Sequence, residues 1–471
     1  MNFLRFMILP AVIFAAGCSG VDKVNNSHDG VYPNIVFIVV DDLGWRDLGC
    51  YGSSFYETPN IDSLAAEGIR FTNAYSACPV CSPTRASLMT GKDTARVHMT
   101  GHITAIGRHR HPEGSRIIPP KDNMFLSLDE VTVAEVLERL DYSSISIGKW
   151  HLGPEKYWPT KQGFDRNIAG WTHGSPPCYF YPYKNPESSW NPGIPTLHGG
   201  EPGEYLTDRL TDEALSFIDE NQKGPFFLYL PYYAVHTPLQ APENLIEKYR
   251  RKLKKDSSQK NAVYGAMVER TDTNIGRILE RLDSLGLRDN TLVIAASDNG
   301  GESRATNNAP LREGKGHIYE GGIRVPLVMR WEGLINPGTV SDVPVTTEDF
   351  FPTVAEAAGA AYSKEGLDGT SLIPLFMGKD IERECLYWYY PHYSPQAKEP
   401  ASAVRVGDYK LIKFYDPPRV ELYNLEEDIS EQEDLSEKMP AKTEQLLGLL
   451  EKKLEEAGTV MHTLNPGYEA E

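Results

Sequence analysis

Short apolar runs bounded by turn residues alternate with amphipathic stretches through most of the first 300 residues. Asn34–Val40, Ser143–Ile147, Phe226–Leu230 and Thr291–Ala296 are near-continuous β-branched or aromatic segments, the pattern of strands buried on both faces. Between them, apolar positions recur at helical spacing over Asn60–Gly68, capped by Asn60, and over Thr132–Leu140, Tyr205–Asn221 and Asn261–Gly286, with Gly286 as a stop. Strands alternating with helices predict an α/β fold built on a doubly wound, mainly parallel sheet. From about Glu384 the texture changes to short alternating runs, Leu386–Tyr390, Ala403–Val406, Tyr409–Phe414 and Val420–Tyr423, with Gly407-Asp408 as a tight hairpin signal. A helix over Ala441–Ala457 follows, so the chain is expected to end in a small antiparallel subdomain. Residues 93–129 and 153–203 lack periodicity and are rich in Pro, Gly, His and aromatics; segments this long inside a compact domain are functional or disordered.

At 471 residues, with 40% hydrophobic residues and 24% charged, the chain has ample material for a core and is not a disordered protein. Its 47 Lys and Arg against 65 Asp and Glu leave a net charge of −18, which argues against a nucleic-acid partner. An anionic substrate stays open, because a metal or a few local cations can invert the sign of one cleft. The start of the chain carries Arg5 and an apolar run from Phe6 to Ala16, too short to span a bilayer and shaped like a secretory signal. Ala15-Ala16-Gly17-Cys18 resembles a bacterial lipobox, so residues 1–17 read as a lipoprotein signal peptide and 18–30 as a polar tether. An exported protein of the periplasm or cell surface, touching the membrane only through a lipid anchor, is the expectation. The remaining cysteine spacing fits no disulfide or zinc framework.

In an open parallel sheet, ligands bind beyond the carboxyl ends of the strands. Asp41-Asp42 follow the first predicted strand, Gly148-Lys149-Trp150-His151 the second, His236-Thr237-Pro238 the third and Asp298-Asn299-Gly300 the fourth. Each alone reads as a turn former, a helix cap or a structural histidine. Together they bring hard oxygens, cations and two histidines to one rim.

Cys81-Ser82-Pro83-Thr84-Arg85-Ala86-Ser87-Leu88-Met89-Thr90-Gly91 fits the pattern C-x-P-x-R-x-x-x-x-T-G, and on it the chain resembles the formylglycine-dependent sulfatases. Thr84 stands where Ser or Ala is commoner. The resemblance runs over most of the chain, because Asp-Asp, Gly-Lys-Trp-His, His-x-Pro, Ser-Asp-Asn-Gly and Gly314-Lys315 leading to Glu320-Gly321-Gly322 occur in the family's order. It implies an alkaline-phosphatase-like fold, with a sulfatase catalytic domain over 31–383 and the antiparallel-sheet subdomain over 384–471. It also implies oxidation of Cys81 to formylglycine by a formylglycine-generating enzyme or an anaerobic maturase. The modification makes chemical sense: an aldehyde hydrate carries two hydroxyls on one carbon, so one attacks sulfur and the other expels sulfate.

The same resemblance assigns roles. Asp41, Asp42, Asp298 and Asn299, with residue 81, are the implied ligands of Ca²⁺, which takes about six to eight oxygens. Pro83 falls in the first turn of the helix that residue 81 opens, where its missing N–H costs nothing. Arg85 is expected to reach back to position 81, and Lys149 and Lys315 to contact sulfate oxygens. His236 is the expected acid at the leaving oxygen and His151 the base that frees the product.

Substrate signals are thinner. The insert at 153–203 carries Trp158, Trp171, His173, Tyr179, Tyr181, Tyr183 and Trp190, which suit either sugar stacking or a satellite core. Arg108-His109-Arg110-His111 suits an anionic neighbour or a solvated turn. The expected activity is hydrolysis of a carbohydrate sulfate ester, exo-acting on a sulfated polysaccharide fragment. The alternatives are a phosphodiester or phosphonate hydrolase of the same superfamily and a non-catalytic sulfated-glycan binder.

Overall fold

In the computed structural model, which describes residues 32–104, 111–256 and 258–468, the run Asn34–Val40 forms strand β1 of an eight-stranded sheet. All seven residues are buried because both faces are covered. Val36, Ile38 and Val40 enter one apolar cluster and Ile35, Phe37 and Val39 the other, as the period-2 alternation of a strand requires. The other strands of this sheet are Ile69–Phe71 (β2), Ser143–Ile147 (β3), Arg166–Ile168 (β4), Phe226–Pro231 (β5), Thr291–Ser297 (β6), Leu327–Arg330 (β7) and Thr339–Ser341 (β8). They lie in the order β8-β2-β7-β6-β1-β5-β3-β4, and β7 alone among them runs against its neighbours. The mainly parallel α/β sheet read from the sequence is the one observed.

Eight helices matter here. Pro59–Ala66 (α1), Leu206–Asn221 (α4), Glu243–Leu253 (α5) and Ala262–Ser284 (α6) cover one face; Cys81–Thr90 (α2), Val133–Glu138 (α3) and Phe350–Ala357 (α7) cover the other; Pro440–Glu456 (α8) belongs to the C-terminal part. Asn261 caps α6 by accepting from the N–H groups of Val263 and Tyr264, and Gly286 follows its end at φ +68°. The cap expected at Asn60 is a correction: the N-cap residue of α1 is Thr58, Pro59 takes the first helical position, and the Asn60 amide donates 2.7 Å to Asp272 on α6. Two helices escaped the periodicity. In α5 the buried stripe is only Ile246 and Tyr249, and α7 has Pro352 within its first turn. Strands β2, β4, β7 and β8 have three or four residues each, too few for a period to register.

The C-terminal part forms its own four-stranded antiparallel sheet from Leu386–Tyr390 (β9), Ala401–Val406 (β10), Tyr409–Tyr415 (β11) and Pro418–Asn424 (β12). Gly407 turns β10 into β11 at φ +57°. Leu446, Leu450 and Leu454 of α8 pack on one face with Val404, Leu411 and Leu422. The other face, through Trp388, Ala403 and Ile412, packs on Val80, Ile318 and Ile323 of the larger part. The leader and tether, with Arg108, His109 and Arg110, lie outside the described residues. No helix among the described residues is long and apolar enough to cross a membrane.

Behind α2, Asp93 and Glu348 are buried together. Burial, then Asp368, raises Asp93 to about 7; burial, then Asp93, raises Glu348 to about 8. Both values exceed those of an unfolded chain, so between about pH 4 and pH 8 the folded state holds more protons and stability falls as pH rises. Thermal unfolding should therefore shift down from pH 5 to pH 8.5, and the double variant Asp93→Asn, Glu348→Gln should flatten that slope. An unchanged slope would mean that the two carboxyls titrate normally.

Candidate active site

β1 lies between β5 and β6, where the strand connections diverge to either side, so its carboxyl end opens on the crevice of the sheet. Asp41 and Asp42 leave β1 there. Asp42 adopts φ +62°, and its N–H donates to Asp298 Oδ1 (3.3 Å), just past β6. Lys149 follows β3, where Gly148 at φ +120° brings the backbone so close that a Cβ would stand 2.0 Å from the Pro231 carbonyl. Cys81 is the first residue of α2, whose N-terminal N–H groups favour negative charge.

Oxygens of Asp41, Asp42 and Asp298 lie within 4.8 Å of one another, all buried. Three carboxylates this close repel strongly in a dry site. Three cations answer them. Lys149 Nζ donates 2.7 Å to Asp41, Lys315 Nζ lies 2.6 Å from Asp42, and Arg85 holds Asp298 through Nε at 2.9 Å and its second guanidinium nitrogen at 2.7 Å. Burial and Asp298 push Asp41 well above the usual carboxylate range. Burial would raise Asp42 and Asp298 too, but the surrounding cations together, led by Lys315 on the one and by Arg85 on the other, outweigh it and hold both low.

The donor set fits a hard divalent cation. Asp41 Oδ1 and Asn299 Oδ1 are buried and accept no hydrogen bond, although buried oxygens normally do. Orphaned carboxylate and amide oxygens beside two further carboxylates are the ligands that an oxygen-coordinated ion uses. With three carboxylates balanced by three cations, a divalent ion leaves the site positive and suited to an anion.

Cys81 Sγ lies 3.4 Å from His151 Nδ1, and Ser82 Oγ 3.1 Å from the same nitrogen. Ser82 Oγ also accepts from the Ile103 N–H at 3.0 Å, which fixes the hydroxyl beside the imidazole. Burial, then Lys149, lowers His151 well below the usual histidine range, so it is a neutral acceptor. His236 lies between Thr237 O, 2.8 Å from Nδ1, and Asp42 Oδ2, 3.7 Å from Nε2; burial and Lys315 lower it to about 3 against Asp42. Cys81, His151, His236 and Lys315 line one cavity of about 280 Å³. Lys149 and Arg85 stand behind it, fully buried, and the guanidinium of Arg85 bonds Asp298 and the Lys149 carbonyl.

The sulfatase family profile matches residues 33–360, and the profile of the N-sulphoglucosamine sulphohydrolase C-terminal region matches 314–459. The chain belongs to the sulfatase family. It is accordingly a sulfuric ester hydrolase. It is similar to a sulfatase of Formosa agariphila (34% identity, covering 87% of this chain and 85% of that one). It is also similar to human N-acetylgalactosamine-6-sulfatase (36%, 76% and 68%). Among solved structures it resembles Ps i-CgsB in complex with k-i-k-neocarrahexaose, with TM-score 0.75 and 33% identity over 90% of this chain and 92% of that one.

Two features of this sulfatase's site were missed in the sequence. Ser82 occupies a variable position of the signature, so nothing but the fold reveals its bond to His151. Gly174 lies against the His151 ring, where a Cβ would come within 2.4 Å of Cε1; a glycine in an aperiodic insert gives no such sign. The insert's aromatics divide unequally between their two readings. Trp171, Tyr179 and Tyr183 are buried in the main apolar cluster, with Trp158 and Tyr181 packed against it, so most form a satellite core. Trp190 lines the cavity.

Removing Arg85 leaves Asp298 without its buried counter-charge, a loss of about 3–5 kcal/mol for a buried pair broken on one side. Arg85→Met should therefore melt well below the wild type in chelator. Added divalent cation should then raise its melting temperature by more than it raises the wild type's; an equal or smaller rise would mean that Arg85 does not offset the carboxylates.

Proposed function

We propose that this sulfatase removes sulfate from the terminal sugar of a sulfated polysaccharide fragment, with residue 81 oxidised to formylglycine and Ca²⁺ held by Asp41, Asp42, Asp298 and Asn299. The observation that carries this reading is the single cavity of about 280 Å³ onto which Cys81, His151, His236 and Lys315 all open. It lies just below the ~300–1,000 Å³ of small-molecule sites, a size that suits a single terminal sugar. The carbohydrate class draws support from Ps i-CgsB, whose structure holds k-i-k-neocarrahexaose, and from N-acetylgalactosamine-6-sulfatase. When bound, Ca²⁺ supplies charge that polarises the sulfate ester, and formylglycine supplies the hydroxyls of an aldehyde hydrate.

The chain's own residues do the rest. Lys315 binds a sulfate oxygen at the cavity wall and neutralises the transferring group. Lys149 and Arg85 act from behind by fixing Asp41 and Asp298. His151 Nδ1, oriented by Ser82, takes a proton from position 81. The Nδ1–H of His236 donates to Thr237 O, so Nε2 is the free nitrogen facing the cavity; in the acid role it binds a second proton, which an anionic substrate favours, and passes it to the leaving oxygen. Conversion of Cys81 requires a partner oxidising enzyme of the formylglycine-generating or anaerobic maturase class. We also retain export and lipidation at Cys18 as proposals, with 31–383 as the catalytic domain and 384–471 as the subdomain that buttresses it.

Mass analysis of the peptide containing residue 81, from protein made with a maturase, should show aldehyde in place of thiol, and Cys81→Ala should abolish sulfate release while remaining folded. Exhaustive chelation should abolish it too and Ca²⁺ restore it. Full activity with an unmodified thiol, or without bound metal, would sink the reading. His236→Ala should lose about 10²–10⁴-fold on alkyl (sugar) sulfates and far less on activated aryl sulfates, whose leaving group needs no proton. Equal losses on both classes would remove His236 from the acid role.

A further inference from the structure

The cavity that holds Lys315 and His236 is also lined by Trp190 and Gln396, two residues that the chemistry at position 81 does not use. Trp190 is the exposed tryptophan of the described chain, with half its surface open, yet it is not a stray surface residue. Its ring meets His173 edge-on (4.6 Å, 87°), and His173 leans on Trp171 (4.2 Å), which is buried in the apolar core. The Trp171 carbonyl accepts the His151 N–H at 3.0 Å, so the ladder is tied by its inner rung to a histidine at the nucleophile. The neighbouring Asn191 donates to the Ser175 carbonyl at 3.0 Å, holding the Trp190 loop against the cavity wall.

Gln396 comes from the C-terminal part. Its turn is closed by Ser394 N–H to Ala397 O (2.7 Å) and Ala397 N–H to Ser394 Oγ (2.8 Å). Its amide donates 3.2 Å to Glu302, which Arg304 grips through two nitrogens. Gly316, next to Lys315, packs against it so tightly that a Cβ would stand 2.8 Å from Gln396 Cβ. The amide is thus held beside the sulfate-binding lysine, with a second N–H and a carbonyl oxygen still to satisfy.

We propose that Trp190 and Gln396 form the sugar subsite of the cavity, Trp190 as the apolar platform for one face of a sulfated hexopyranose and Gln396 as the hydrogen-bond partner of its hydroxyls. This rests on the carbohydrate sulfatase reading above and adds the residues that read the sugar. A rigid aromatic platform binds a ring face at little entropic cost, and a fixed amide discriminates hydroxyl positions because a mismatch leaves it unpaired. Trp171 and His173, named in the insert at the outset, then act as supports.

The test separates binding from turnover. Binding is measured by calorimetry on the Cys81→Ala protein with a panel of monosulfated hexoses and hexosamines, and turnover on the matured enzyme with the same panel. Trp190→Ala should weaken the preferred sugar sulfate roughly tenfold or more in both assays, Trp190→Phe should retain most of it, and Gln396→Ala should lose about three- to tenfold and narrow the differences between epimers. Inhibition by inorganic sulfate, which probes the sulfate contacts alone, should change by much less than sugar affinity. Sugar sulfates turned over with Trp190→Ala and Gln396→Ala both within twofold of wild type would overturn the subsite and leave the sulfatase reading standing. Sugar binding that depends on Trp190 without any turnover by matured enzyme would uphold the subsite and overturn that reading instead.

Discussion

Three carboxylates, Asp41, Asp42 and Asp298, are forced together at the carboxyl edge of a buried sheet, and the rest of the structure is arranged so that they can stay there. The sheet places them, because β1 and β6 are neighbours and both end at the same rim. Their repulsion in a dry site has to be offset, and each offsetting cation arrives from a different part of the chain: Arg85 from α2, Lys149 from the end of β3, Lys315 from the loop before β7. The same salt bridges that hold the acids therefore fix α2 and the loops around it. Local stability and the poise of the site for a cation and an anion have one electrostatic origin.

The loop that carries Lys315 is itself held by the C-terminal sheet. Lys410 of β11, fully buried, donates to the Ile318 carbonyl (2.8 Å), to Glu320 (3.0 Å) and to Glu431 (2.9 Å). Arg324 adds a bond to Glu320 at 3.2 Å, and Tyr75 donates to the same carboxylate at 2.7 Å. A buried network of this kind contributes little net stability, yet breaking one member leaves charges uncompensated, so it specifies one arrangement of the parts it joins. The small sheet thus serves the site in two ways: it pins the segment leading from Lys315, and through Gln396 it completes the cavity wall.

Much of the fold could be read along the chain. The four long apolar runs became β1, β3, β5 and β6, because a strand covered on both faces must be apolar at every position. Tyr205–Asn221 and Asn261–Gly286 became α4 and α6 because each buries a broad stripe against the sheet. What escaped was short or locally ambiguous. Strands β2 and β7 exist because their neighbours supply the hydrogen bonds, α5 has a two-residue stripe, and the start of α1 is capped not by Asn60 but by Asp272 of α6, which accepts from the N–H groups of Asn60 and Ile61.

The sequence by itself determined the chemistry-bearing residues and the order of the elements that carry them, since strand-end carboxylates, the Cys81 signature and the two histidine motifs are local patterns whose meaning comes from residue type and spacing. Only the tertiary structure decided who faces whom. That Lys149 answers Asp41 and Lys315 answers Asp42, that Ser82 bonds the ring of His151, that Trp190 reaches the cavity while Trp171 is buried, and that Gln396 stands beside Lys315, all join residues distant along the chain or related by no period. Such pairings are set by how the sheet edge, the aromatic insert and the C-terminal sheet pack against one another, and packing between distant segments leaves no periodic trace in the sequence of either one.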